Sequence, residues 1–203
     1  MDAALTPSPD MPTLALLAVV AAIVLFVVVV ARRPSDFRVE RSTTVAAPPG
    51  AVLELVEDFH NWHRWSPWDK LDPTQVLTFG GAPRGLGATY HWVGDKNGEG
   101  HMEIVEHRPN EKVGIQLDFI RPFATRNRCD FTARRTDAGT EVTWSMSGTY
   151  NLMMKAFCLF KDMDSMVGRD FERGLADLKA AAEASTGAKG GTASAPGGVR
   201  SPA

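Results

Sequence analysis

The pattern of hydrophobic and polar residues divides the chain into three parts. Residues 14–31 are almost entirely apolar, residues 37–148 contain runs that alternate between apolar and polar positions, with two short helical patterns after the first run, and residues 153–183 repeat apolar side chains at helical spacing. After residue 184 the sequence consists mainly of Ser, Thr, Gly, Ala and Pro, which predicts a disordered tail over residues 185–203. We therefore predict one folded domain, residues 36–184, joined by a linker of residues 32–35 to an apolar segment.

The apolar segment, residues 14–31, predicts a transmembrane helix. It contains no charge, and at about 1.5 Å per residue it nearly crosses the hydrocarbon core of a bilayer. A cleaved signal peptide is the competing interpretation, because Val29-Val30-Ala31 resembles a cleavage site. Against it, residues 1–13 contain two aspartates and no basic residue, and the apolar run is longer than that of most signal peptides.

Basic residues flank this segment on one side only. Arg32, Arg33 and Arg38 follow it, and no basic residue precedes it. The positive-inside rule then predicts a short extracytoplasmic N-terminus, residues 1–13, and a folded domain in the cytoplasm. We expect a single-pass protein of the bacterial inner membrane, whose short linker holds the domain within roughly 20 Å of the lipid surface.

The middle of the chain predicts antiparallel strands with one dry and one wet face. Alternating runs lie at residues 37–45, 76–79, 88–93, 101–106, 113–119, 125–133 and 140–148. A short helix is predicted to begin at Pro49, and a second one to end before Ser66-Pro67. This order of elements predicts an α+β fold built on an antiparallel sheet.

The last apolar run, residues 153–183, predicts one long amphipathic helix. Its apolar stripe comprises Phe157, Phe160, Met163, Val167, Phe171, Leu175 and Leu178. Asp164 also lies within the stripe, where a carboxylate costs free energy unless it is paired or reaches water, as it would in a cavity. The alternative is a helix that breaks near Gly168, with Asp164 capping the new segment.

The charge of the chain says little about its partners. A net charge of −2 argues against a nucleic-acid partner held by phosphate neutralisation. Arg126 and Arg128, with Arg121 and Arg134 nearby, predict a basic stripe on the outer face of the sheet. Such a stripe is either a solvated surface or a site of attraction to anionic headgroups.

The sequence contains none of the common signatures of nucleophilic or metal-dependent enzymes. GxSxG and HExxH are absent, and Cys129 and Cys158 form neither a CxxC pair nor a disulfide pattern. Strand alternation places His91 and His101 on the solvent side of the sheet. We therefore expect no metal site and no cofactor.

Two stretches resemble a known family. They are FRVERSTTVAAPPGAVLELVEDFHNWHRWSPWDK near the start of the domain and MDSMVGRDFERGLADLKA near its end. With the order of elements, they resemble the SRPBCC superfamily, also called START-like or Bet v 1-like, and within it the bacterial polyketide cyclase/dehydrase and lipid-transport group. The resemblance covers residues 36–184. It implies a helix-grip fold, in which a curved sheet of about seven strands wraps the C-terminal helix and leaves an apolar cavity.

Inward-facing side chains would line this cavity. We expect ligand contacts from Trp65, Trp68, Tyr90, Trp92, Met102, Ile104, Leu117, Asn127, Cys129, Trp144, Met146, Met163 and Val167. This composition suits a hydrophobic small molecule, although the same side chains can also fill a core without binding anything. Asp164 is the candidate general acid or base, since strand alternation turns the other candidate, Glu103, outward.

These expectations favour a membrane-anchored module that binds or transfers a lipid-, quinone- or polyketide-like molecule without catalysis. Its partners would be that ligand and the membrane. One alternative is a cyclase or dehydratase that uses Asp164, and another is a regulatory or scaffolding domain whose cavity is filled. The fold by itself does not separate these functions, because it hosts carriers, cyclases and binding modules.

Overall fold

A computed structural model describes residues 10–150, 152–159 and 162–191. The chain forms two compact units. The first holds the residues up to 35 together with residues 150–162, and the second holds residues 36–149 together with the residues from 163 onward.

The first unit is built on helix α1, Met11–Ala31. Asp10 caps this helix by accepting a hydrogen bond from the Thr13 N–H, at 3.3 Å. Most of its large apolar side chains are exposed, and Val30 is its one buried residue. The helix is long and apolar enough to cross a membrane, although a signal sequence would satisfy the same criteria. A second, short helix, α3, spans Leu152–Phe157 in the same unit.

The second unit contains a curved antiparallel sheet of seven strands, which confirms the predicted fold class. Its strands follow in the order β1, β7, β6, β5, β4, β3 and β2 across the sheet. They span Asp36–Val45 (β1), Val76–Gly81 (β2), Ala88–Val93 (β3), Glu99–Arg108 (β4), Lys112–Arg121 (β5), Thr125–Thr136 (β6) and Gly139–Thr149 (β7). Burial alternates along β3, so that its even-numbered residues face inward as the pattern predicts.

A helix and a 3-10 helix cover one end of the sheet. Helix α2, Pro49–Glu57, begins at a proline and buries Val52, Leu53, Leu55 and Val56, and the 3-10 helix spans Phe59–Arg64. The indole N–H of Trp62 donates to the Val56 carbonyl at 3.0 Å, and that of Trp65 donates to the Leu55 carbonyl at 2.9 Å. The two tryptophans therefore satisfy carbonyls at the end of α2 that would otherwise lack a partner.

The predicted single helix over residues 153–183 is in fact two helices. Helix α3 ends at Phe157, and helix α4 spans Met163–Gly191. Gly168 lies within α4, so the alternative break near Gly168 is wrong as well. Phe157 therefore belongs to α3 and is exposed, and Phe160 lies outside the described residues. Residues 185–191 are helical rather than disordered, and the rest of the predicted tail lies outside the described residues.

Helix α4 packs on the sheet through a stack of three aromatic rings. The ring of Trp144 on β7 lies between those of Phe131 on β6 and Phe171 on α4, with centroid distances of 4.8 and 4.1 Å. Gly174 allows this close approach, since a Cβ there would lie 2.8 Å from the Trp144 ring and 3.1 Å from Pro67. The sheet and α4 together form the helix-grip arrangement that the resemblance implies.

Candidate functional site

A cavity of about 270 Å³ lies between the inner face of the sheet and α4. Its wall is mostly aromatic, aliphatic and sulfur-containing, with a small number of polar side chains. The lining residues are Trp62, Ser66, Trp68, Asp69, Gln75, Tyr90, Trp92, Asn97, Met102, Leu117, Phe119, Cys129, Trp144, Met146, Val167 and Phe171. Apolar cavities with a few convergent polar groups are the usual form of small-molecule sites.

The structure brings most of the predicted contact residues to this cavity. Those that line it are Trp68, Tyr90, Trp92, Met102, Leu117, Cys129, Trp144, Met146 and Val167. Trp65 and Ile104 are instead fully buried in the core, and the N–H of Trp65 is already engaged by α2. Asn127 is buried outside the lining, and Met163 packs against the core. Whether the lining side chains contact a ligand stays a prediction.

Sequence reasoning missed seven lining residues, which fall into two kinds. Phe119 and Phe171 lie on inward-facing stripes that the sequence pattern reveals, so the same reasoning could have included them. Trp62, Ser66, Asp69, Gln75 and Asn97 lie on irregular segments or on the 3-10 helix. No periodicity shows which way such residues face.

The polar residues of the cavity form a connected cluster. The Tyr90 hydroxyl donates to the Asp69 carboxylate at 3.2 Å. The Asn97 amide donates to Gln75 Oε1 at 3.2 Å and to the Trp68 carbonyl at 3.0 Å. This polar cluster, Ser66, Asp69, Gln75, Tyr90 and Asn97, lines the cavity together with the apolar wall.

Asp69 carries the one carboxyl group among the described residues that line the cavity. Burial raises its pKa above the ordinary aspartate value, and hydrogen bonds from Tyr90, Gln75 and Ser66 oppose that rise only in part. Burial, together with the charge of Asp69, also raises the pKa of Tyr90, which keeps its hydroxyl protonated as a donor. The cavity therefore presents a carboxyl group of weakened acidity beside a phenol.

A second aspartate, Asp72, forms hydrogen bonds that connect two of the segments contributing to the polar cluster. It accepts hydrogen bonds from the Lys96 N–H at 2.8 Å and from the Thr74 hydroxyl at 2.7 Å. These donors lower its pKa to about 2. Its carboxylate also lies against Gly94, where a Cβ would come within 2.5 Å of Oδ2. Asp72 thus ties the β3–β4 turn, which contains Asn97, to residues 72–75.

Asp164 does not line the cavity, and the expectation that it reaches water there is wrong. Arg41 Nη1 and Nη2 contact its two carboxylate oxygens at 2.7 and 2.8 Å, and Arg41 Nε contacts Glu172 at 2.8 Å. Its side chain is 56% exposed, and Arg41 lowers its pKa. Asp164 does have the helical angle of the apolar stripe, as the sequence predicts. It lies in the first turn of α4, however, where it contacts Arg41 on β1.

The arginines predicted to form a basic stripe are neutralised by neighbouring acids. Arg126 pairs with Asp118 at 2.9 Å, and Arg128 pairs with Asp130 at 2.9 Å. Arg121 and Arg134 pair in the same way with Glu99 and Glu141, both at 2.7 Å. The outer face of the sheet thus alternates in charge, so these four arginines do not form a continuous basic stripe, and a solvated surface is the interpretation that remains.

The remaining groups offer little reactive chemistry. Burial raises the pKa of the Cys129 thiol to about 12, so this residue is not a thiolate nucleophile at neutral pH. The Trp144 indole N–H is buried without a hydrogen bond to any described residue, apart from its interaction with the weakly accepting Cys129 sulfur. In the part of the chain that the structure describes, no three His, Cys, Asp or Glu side chains are grouped so that they could hold a metal ion.

A family comparison identifies the domain that contains this cavity. The model of the family described as polyketide cyclase/dehydrase and lipid transport matches residues 36–183, which is more than half of the chain. The chain belongs to this family. The resemblance inferred from the two sequence stretches is therefore confirmed. Membership of this family, together with the apolar cavity, supports a domain that binds a hydrophobic ligand.

Solved structures share the fold at low sequence identity. Protein MLL2253 from Mesorhizobium loti is 17% identical, with a TM-score of 0.53, and the match covers 71% of this chain and 96% of that protein. SA2116 from Staphylococcus aureus, a protein of unknown function, is 16% identical, with a TM-score of 0.55 and coverage of 75% and 96%. The di-domain ARO/CYC StfQ from the steffimycin biosynthetic pathway is 13% identical, with a TM-score of 0.55 and coverage of 77% and 54%. No curated protein matches the chain.

Proposed function

We propose that this protein is a membrane-anchored module that binds a hydrophobic small molecule and transfers it between the membrane and the cytoplasm. The observation that carries the proposal is the cavity of about 270 Å³, whose apolar wall contains one polar cluster. A filled core would have favoured a regulatory or scaffolding domain, and the open cavity argues against that alternative.

The size and polarity of the cavity limit the ligand. Ligand pockets usually enclose about 300–1,000 Å³, so this cavity of about 270 Å³ lies just below that range. It suits a compact ring system, such as a quinone or polyketide ring, or the end of one acyl chain. Asp69 and Tyr90 would orient a hydroxyl or carbonyl group of the ligand, while Met102, Leu117 and Met146 would contact its apolar part.

The membrane part of the proposal rests on α1 and the residues that follow it. Its length and exposed apolar side chains suit a lipid environment. Arg32, Arg33 and Arg38 favour an orientation with the N-terminus outside and the domain in the cytoplasm. In the bacterial inner membrane, the domain would then take its ligand from the inner leaflet. An uncleaved α1 in the mature protein is a condition of this proposal.

The cavity is tested by filling it. In Met146→Trp the larger indole replaces a side chain that is only 6% exposed and occupies part of the cavity, and the loss of that space should weaken ligand binding by about tenfold or more, which is about 1.4 kcal/mol. Full-length protein purified from bacterial membranes is extracted with solvent, and the extract is analysed by mass spectrometry. We expect an apolar molecule that is enriched with the wild type and depleted with the variant.

The matched control for this experiment is Val105→Trp. Val105 lies on the same sheet but is 39% exposed and does not line the cavity, so this variant should retain the molecule. An extract in which no compound distinguishes the wild type from Met146→Trp would refute ligand binding in this cavity.

A second candidate function is a cyclase or dehydratase, and one observation favours it. Asp69 lines the cavity with a raised pKa, as expected of a general acid, whereas Asp164 is paired with Arg41 outside the lining. With the extracted compound as substrate, Asp69→Asn should lower turnover by about 10²-fold or more, and Asp164→Asn should leave it unchanged. Retained turnover in Asp69→Asn would exclude Asp69 as the general acid. Absence of turnover by the wild type would exclude the enzyme function and leave ligand binding as the one remaining proposal.

A further inference from the structure

Helix α3 exposes an unusual amount of apolar surface for its length. Leu152, Met153 and Phe157 are 55%, 64% and 51% exposed in a helix of six residues. Single exposed apolar residues are common on soluble proteins, but here they form half of one element. Their surface requires an apolar or amphiphilic environment.

Lys155 is the one cation of α3, and its side chain lies against the C-terminal end of α1 instead of on the exposed side of α3. Lys155 is 9% exposed, and its Nζ donates to the Arg33 carbonyl at 2.9 Å and lies 3.5 Å from the Ala31 carbonyl. The last carbonyls of α1 lack helical partners and carry the negative end of its dipole, which an ammonium group satisfies. Arg33 Nη1 in turn donates to the Cys158 carbonyl at 3.4 Å. These contacts fasten α3 to the C-terminal end of α1.

The arrangement of side chains around α3 is the reverse of that on a water-facing helix. At 100° per residue, Leu152, Met153 and Phe157 span an arc of about 140°, and Lys155 lies on the opposite side. The cation is therefore buried against α1 while the apolar arc is left uncovered. A surface facing water would show the opposite distribution.

We propose that α3 lies in the headgroup region of the bilayer at the C-terminal end of α1 and inserts Leu152, Met153 and Phe157 towards the acyl chains. This inference rests on the proposed membrane anchor. If α1 spans the membrane, its end at Ala31 lies at the interface, and the contacts of Lys155 keep α3 at the same depth. Interfacial helices typically bury their apolar face by about 5–10 Å, and Arg32 and Arg33 supply charges that attract anionic headgroups.

α3 directly precedes α4 in the chain, so a membrane contact of α3 would also affect the part of the protein that forms the cavity. Residues 158–162 connect α3 to α4, whose Val167 and Phe171 line the cavity. Such a connection reaches at most about 18 Å when it is fully extended. Together with the linker at residues 32–35, it would hold the cavity-lining helix close to the lipid from which the ligand comes.

Depth-dependent fluorescence quenching tests this proposal in the full-length chain. An NBD label is attached to Met153→Cys or, as a second position, to Phe157→Cys, in nanodiscs of phosphatidylcholine and phosphatidylglycerol. Ala22→Cys reports on the middle of α1, and Ala138→Cys reports on the exposed β6–β7 turn. The native cysteines are both buried, and wild-type protein treated with the same reagent gives the background.

Lipids with a spin label near the headgroup should quench positions 153 and 157 about twofold or more relative to position 138. Lipids labelled deep in the acyl chain should quench position 22 most strongly. Quenching at 22 with none at 153 and 157 would overturn the interfacial role of α3 and leave the anchor intact. A label at 153 that is shielded from water but not quenched by lipid would indicate a protein partner, against the proposal. Absence of quenching at 22 would remove the anchor and this inference together.

Discussion

At the scale of single residues, two aspartates three positions apart show how far the surroundings decide chemistry. Asp69 is half-buried in the lining of the cavity, and this partial burial raises its pKa. Asp72 accepts hydrogen bonds from Lys96 and Thr74, and these donors lower its pKa. The same side chain is thus a candidate acid at one position and a structural anion at the other, because a carboxylate is stabilised by the donors that it finds on folding.

We predict that Asp72 stabilises the fold in a pH-dependent way. Its folded pKa of about 2 lies below its ordinary value of 3.8, so its contribution is present above about pH 4 and is lost as the pH falls towards 2. Asp72→Asn should therefore lower the Tm by several degrees at pH 7, and the difference from the wild type should shrink between pH 4 and pH 2. Thermal unfolding followed by circular dichroism measures this difference.

The control for this prediction is Asp137→Asn, at an exposed position of the β6–β7 turn. It should unfold at the same temperature as the wild type at neutral pH. A Tm difference for Asp72→Asn that stays constant from pH 7 to pH 2 would show that shape rather than charge is responsible.

At the scale of elements, the packing of α4 on the sheet depends on a close approach between the helix backbone and Trp144. The stacking of Phe171 on Trp144, with an interplanar angle of 6°, requires the helix backbone to come near the indole ring. Gly174 lies at the point of contact, whereas a Cβ added at Gly187 of the same helix would meet no described atom within 4 Å apart from its chain neighbours and the backbone of its own helix. The two glycines therefore have different roles, although the sequence presents both only as poor helix formers.

We predict opposite effects for alanine at these two glycines. Gly174→Ala places a methyl group against Trp144 and Pro67, which cannot move without disturbing the stack, and should destabilise the domain by about 1–3 kcal/mol. Gly187→Ala should be neutral or stabilising by up to about 1 kcal/mol, because alanine is the better helix former. Urea unfolding measures both values, and equal effects would contradict the close contact at Gly174.

At the scale of the whole molecule, the fold concentrates polar groups where the sequence shows no pattern. The polar cluster combines side chains of β3, of the β3–β4 turn and of residues 66–75, which are far apart in the chain. Most of the apolar wall comes instead from periodic elements, from β3 to β7 and from α4, and Trp62 and Trp68 add to it from the 3-10 helix and an irregular segment. Any ligand selectivity of the cavity would thus come mainly from irregular segments, and its hydrophobicity from regular ones.

Residue periodicity by itself determined the seven strands, their inward faces, α2, the apolar helix α1 and the α+β class with its antiparallel sheet, whereas the helix-grip arrangement followed from the family resemblance. Such features depend on neighbours along the chain, since side-chain direction follows from the repeat of a strand or helix. Eight of the thirteen expected contact residues lie on strands or on α4 and line the cavity for the same reason, and a ninth, Trp68, lines it from an irregular segment. The family resemblance lay in two contiguous stretches and was also visible without the structure.

Only the tertiary structure decided which carboxylate meets the cavity, where the last helix is interrupted and which apolar residues remain core. Asp164 has the right helical angle, but Arg41 of a distant strand neutralises it, while Asp69 enters the cavity from a loop. Trp65 is buried in the core instead of lining the cavity, and its indole N–H donates to the Leu55 carbonyl of α2. These outcomes depend on contacts between residues far apart in sequence, whose energies no local pattern records.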